Sequence, residues 1–169
     1  MNPEQELLQL ARARDDEWEV RLAQMPLDHP SQVRIQLRKY LADQADRGRL
    51  RRSDERIVQL ERLPGGLEEL ACHGAEFTSG ARLEFTVRVE ERQTGWVMKQ
   101  FHFHLFLRSS SKIEMVRIHL KPQSWHDPLR IPRCHLHVDR SDAHVPFPIM
   151  HPRLILPLIC EHIEPDFGL

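Results

Sequence analysis

Cysteine is scarce in this chain: Cys72, Cys134 and Cys160 stand far apart in 169 residues and share no C-x-x-C spacing. An odd, sparse set of thiols argues against a disulfide framework and a Cys-based zinc site, and it fits a reducing, cytosolic compartment. Long apolar runs are missing as well. The longest, "LILPLI", falls far short of the ~20 residues that cross a bilayer, so no membrane partner is expected. The opening "MNPEQELLQLARARDDEWEV" alternates acids and bases without the apolar stretch of an export signal, and a cytoplasmic location is expected. Catalytic zinc spacings such as H-E-x-x-H, or H-x-E followed by P-C-x-x-C, are absent, and no internal repeat is visible.

Histidine is present in number, and it is unevenly placed. A net charge of −1 conceals a segment from Trp96 to Arg140 with eight basic residues against three acidic ones, together with six of the eleven histidines. A positive segment of this kind is where an anion would bind. The composition, 29% charged and 40% apolar, is that of a soluble globular protein, and the length suits a single domain over 1–169.

Periodicity divides the chain in three. Asn2-Pro3 followed by Gln5 predicts a helix start, and Leu7, Leu10, Ala11, Trp18, Leu22 and Met25 recur at helical spacing up to Pro26. A second helix begins near Pro30-Ser31, gathers Val33, Leu37, Tyr40 and Leu41 on one face, and ends at Gly48. Residues 54–63 read as a third short helix or a first strand, so 1–63 is taken as a helical N-terminal portion.

From Ala81 the period becomes 2, with Leu83, Phe85, Val87 and Val89 alternating against polar neighbours. Strands follow at 96–107, 113–120 and 134–139, the last two separated by the Pro-rich "KPQSWHDPLRIP". In the second of these four strands Val97, Phe101, Phe103, Leu105 and Leu107 share one side, and Met98, Gln100, His102 and His104 the other. Residues 152–163 read as a closing helix with Leu154, Ile155, Leu158, Ile159 and Ile163 inward. The expected fold is α+β: N-terminal helices and a C-terminal helix on one face of a four-stranded, mainly antiparallel sheet over 81–139.

Two stretches carry chemistry. "KQFHFHLFL" and "RCHLHVDR" each hold a His-x-His pair, and residues two apart on a strand point to the same side. If the strands pair as neighbours, His102, His104, Arg117, His119, His135 and His137 share the face left uncovered by helices. One reading is plain solvated surface, the reading given also to His29, His73, His144, His151 and His162. A second is a divalent transition-metal site with His102, His104, His135, His137 and Asp139 as ligands. The third needs no cofactor. His102, His104, His135 and His137 would exchange protons with RNA, Arg117, His119, Lys121, Arg130 and Arg133 would hold phosphate, and Trp125 would stack a base. The reading carried forward is this metal-independent, ribonuclease-like one, with a non-enzymatic nucleic-acid- or protein-binding subunit as its alternative.

Trp125, Asp127, Pro132 and then the His135, His137, Val138 strand ahead of a final helix resemble the TumE-like toxin family of prokaryotic toxin–antitoxin modules, over residues 96–163. The resemblance implies a small cytosolic toxin or defence effector, neutralised by an antitoxin that the N-terminal helices could dock. A ribonuclease-like activity is the natural companion of that assignment.

Overall fold

Alternation of apolar and polar residues governs the middle of the chain, and the sheet extends further than that pattern predicts. The structure, a computed structural model, describes residues 17–51, 56–108, 114–121, 133–139 and 143–167. Its sheet has seven antiparallel strands and not four, paired in the order of the chain: β1 (Gln59–Leu63), β2 (Leu67–Glu76), β3 (Arg82–Arg92), β4 (Gly95–Phe106), β5 (Met115–Leu120), β6 (Cys134–Val138) and β7 (Val145–Pro146). The two first strands and the last one correct the expected architecture, and β1 occupies part of the stretch read as helical. The Pro64–Gly66 turn makes the β1–β2 hairpin possible, because Gly65 and Gly66 both take φ near +80°, which a side chain would resist.

The apolar side of each strand builds the core. Leu83, Phe85 and Val87 of β3 face Leu105, Phe103 and Phe101 of β4, which in turn face Val116, Ile118 and Leu120 of β5. Phe103 stacks on Phe85 at 5.0 Å between ring centroids and meets Phe101 edge-on at 5.7 Å. A β-bulge opposite Arg88 and Val89 shifts the register of β4. Met98 therefore pairs with Val89 and is buried, although a strict two-residue period puts it on the polar side, and Val97, expected inward, is buried as well.

Helices close this side. Residues 17–23 are helical and bury Leu22, and α1 (Pro30–Asp46) buries Val33, Leu37 and Leu41. The closing helix α2 starts at Pro152–Pro157, continues through π-helical Leu158–Ile163 and ends at Glu164–Phe167. Proline inside a helix lacks the amide donor and crowds the preceding turn. A widened turn accommodates Pro157, with the Glu164 amide donating to the Ile159 carbonyl five residues back. Leu154, expected inward, is exposed, while Leu156 and Cys160 are buried beside Ile155 and Ile159. Among the described residues, no helix is long and apolar enough to cross a membrane.

Two histidines act as helix caps. In both His29-Pro30 and His151-Pro152 the imidazole Nδ1 accepts from the backbone amide two residues on, and proline fills the first helical position. A third polar device ties the N-terminal helical residues to the sheet. Glu19 receives Arg133 at 2.7 Å and Arg92 at 3.3 Å, with the Lys99 ammonium 4.0 Å away.

Candidate metal centre

Register places the imidazoles. On the side of the sheet opposite the core, His102 pairs with His119, His119 with His135, His104 with Arg117, and Arg117 with His137. Rows of histidine on three neighbouring strands follow, because each strand spaces same-side residues two apart and neighbouring strands lie ~4.8 Å apart. The β6–β7 pairing of Leu136 with Val145 adds His144, whose ring lies 4.3 Å from that of His137 and 4.8 Å from that of His135. His144, expected as plain surface, has no same-side spacing to another histidine, and the short strand β7 brings it to the array.

The rings form a continuous array. His102 and His104 approach His119 at 4.9 Å and 5.0 Å between centroids, and His119 approaches His135 and His137 at 5.5 Å and 5.4 Å. Within it, His119, His135 and His137 are buried and each offers a ring nitrogen within 4.8 Å of the other two. Among the described residues this is the group that could hold a metal ion. A tetrahedral ion with nitrogens at ~2.1 Å needs them about 3.4 Å apart, so small ring rotations close the site. His102 and His104 stand outside the group, and His119, expected to contact phosphate, stands inside it.

Hydrogen bonds orient the outer rings. The Nε2 atoms of His104 and His119 lie 2.8 Å apart, and Gln100 Nε2 lies 2.6 Å from His102 Nε2. His119 Nδ1 is buried and has no hydrogen-bond partner among the described residues. Beside His102 and His104 opens a pocket of about 210 Å³, walled on its polar side by His73, Glu84 and Thr86.

Burial governs the charge state. It pushes His119 down to about 2, helped by His102 and His104, and it pushes His102 down to about 4, helped by Lys121. His104 is lowered too, by burial and then by the Arg117 guanidinium. Neutral imidazoles are the form that binds metal.

The sign of the resulting pH dependence is fixed. Below ~6.5 these histidines take up protons in the unfolded chain while the folded ones resist, so the unfolded state binds more protons and folding weakens as pH falls. Metal-free protein is therefore expected to lose melting temperature steadily from pH 6.5 to pH 4.5, and a flat profile there contradicts the burial of the array.

The remaining expected site residues fall elsewhere. Asp139 stands outside the three-histidine group: its Oδ1 accepts from the amides of Glu114 at 2.5 Å and Met115 at 3.2 Å, capping the start of β5, and its φ is +56°. Asp139→Ala is expected to cost about 1–2 kcal/mol in urea unfolding through the lost cap and the left-handed backbone, and to leave zinc affinity within about threefold. Arg133 is buried against Glu19 and donates from Nε to the Lys121 carbonyl at 2.9 Å, which makes it a structural cation. Arg117 stays beside the array and donates to the Asp139 carbonyl at 3.0 Å. Lys121, the residue after the end of β5, acts electrostatically on His102 and His119. Arg130 and Trp125 lie outside the described residues.

No family model, curated protein or solved structure matches the chain, so the geometry alone carries the functional reading.

Proposed function

We propose that this protein is a transition-metal-binding domain whose ion sits on His119, His135 and His137. The observation that carries the reading is three buried imidazoles on adjacent strands with their ring nitrogens already within 4.8 Å. Imidazole donors suit zinc, copper, nickel or iron. Three protein ligands leave a further coordination position for water, and a zinc ion held so lowers the pKa of that water to about 7 and supplies a hydroxide nucleophile.

Arg117 and Lys121 favour an anionic substrate at such a centre, and the excess of basic residues around them makes a phosphate ester of a nucleic acid the first class to test. The metal-independent acid–base reading has less support. A general acid must be protonated near neutral pH, and burial holds His102 and His119 neutral. Three buried, free thiols are in keeping with a reducing cytoplasm as the site of action.

Calorimetric titration of zinc into metal-free protein tests the proposal. One equivalent should bind saturably with submicromolar affinity; no saturable uptake removes it. RNA cleavage that persists in EDTA would favour the acid–base reading instead.

A further inference from the structure

We infer that His104 is a positioning residue for this centre: it receives the Nε2 proton of His119 and so dedicates His119 Nδ1 to the ion. The inference rests on the metal-binding reading above and adds to it a ligating atom and a supporting residue.

The His119 ring has one proton to place on two nitrogens. A neutral imidazole has one N–H and one lone pair, and a metal takes the lone pair. His119 Nε2 lies 2.8 Å from His104 Nε2, so one of those two nitrogens donates and the other accepts. His119 Nδ1 is buried and without a hydrogen-bond partner among the described residues. If Nδ1 carried the proton, it would be a buried donor that neither the protein nor a cation could satisfy. With the proton on Nε2, His104 is satisfied as acceptor and the Nδ1 lone pair is the buried, unpartnered group that an ion would fill. His104 must then keep its own proton on Nδ1.

The sheet explains why His104 and not His102 fills this role. His102 is the direct cross-strand neighbour of His119, yet its Nε2 is engaged by Gln100 at 2.6 Å. His104 sits one step along, on the central strand β4, and its ring meets Phe106 edge-on at 6.2 Å between centroids. A rigid strand and a packed ring hold the acceptor where the His119 proton needs it. Ligating histidines commonly have their second nitrogen fixed in this way, and losing the partner lowers metal affinity by about 10–100-fold.

Two measurements on the full chain test the inference. In zinc-loaded protein labelled with 15N-histidine, long-range proton–nitrogen spectra should show His119 metallated at Nδ1 and protonated at Nε2; metallation at Nε2 overturns it. His104→Leu, which keeps bulk but accepts no hydrogen bond, should weaken zinc binding about 10–100-fold and change the absorption spectrum of the cobalt(II)-substituted protein. His104→Gln, which restores an acceptor, should recover affinity to within about threefold and return the wild-type cobalt spectrum. Equal affinity and spectrum in His104→Leu and wild type overturn the role of His104 while leaving the three-histidine centre in place. Wild-type protein that takes up no zinc overturns both.

Discussion

Replacing His135 by alanine is expected to remove most of the zinc-dependent stabilisation. His135 has no exposed surface and stands between His119 and His137 in the ring array. With one of three ligands gone, affinity should fall by more than the ~100-fold that loss of a supporting hydrogen bond costs. The readout is internal to each protein. At a free zinc concentration 1,000 times the wild-type dissociation constant, wild type should gain about 4 kcal/mol over its metal-free form, a rise of about 8–16 °C in melting temperature. His135→Ala, though less stable to begin with, should gain less than about 1.4 kcal/mol under the same conditions. A full zinc-induced shift in that variant would remove His135 from the centre. The same comparison at His102 is expected to preserve most of the shift, because His102 lies outside the three-residue group.

The second large effect lies at the other end of the array. The Arg133 side chain is only 5% exposed and its partner Glu19 18%, so Glu19→Gln leaves a buried cation without its countercharge. Removing one member of a buried ion pair costs about 3–5 kcal/mol, and Arg92 and Lys99 add their own repulsion once Glu19 is neutral. A loss near the lower end, about 3 kcal/mol in urea unfolding, is expected because Glu19 keeps some contact with water.

Acid should reproduce the effect. Burial alone would raise the Glu19 carboxyl, but the hydrogen bond from Arg133 and the charges of Lys99 and Arg133 outweigh it and hold it below its ordinary value of 4.5. A carboxylate depressed in the folded state contributes stability that is present above that ordinary value and disappears as pH falls through the folded one. The double replacement Glu19→Leu with Arg133→Met should recover most of the loss, since it removes both charges and keeps the volume. A Glu19→Gln variant as stable as wild type would show that the pair does not anchor the N-terminal helical residues.

Much of this was legible in the residues before any coordinates. Alternation in Leu83–Val89 and Phe101–Leu107 marks half-buried strands, and Val33, Leu37 and Leu41 mark a helix face, because each pattern is a direct image of which side meets the core. Strand β2 was hidden for a physical reason. Its "LACHGAE" half is poor in β-branched and aromatic residues, and a bulge at His73-Gly74 breaks its alternation between Cys72 and Ala75. Strand β7 is two residues long and contains a proline, so no periodicity could announce it.

The site shows the same division. Two His-x-His pairs on the side of the sheet away from the core could be read from spacing alone, but which rings converge depends on register. That register seats His119 between the two pairs, while Asp139, only two residues from His137 in sequence, turns its carboxylate to the backbone. The counterion of Arg133 could not be guessed either, because Glu19 lies 114 residues away.

The central claim is that one ion binds where β5 and β6 bring three imidazoles together. Crystals of the zinc-loaded protein, measured on both sides of the zinc absorption edge, test it most directly. The expected result is a single strong anomalous peak about 2.1 Å from ring nitrogens of His119, His135 and His137. An anomalous map with no peak there, or with zinc only at surface histidines such as His29 or His151, would contradict it.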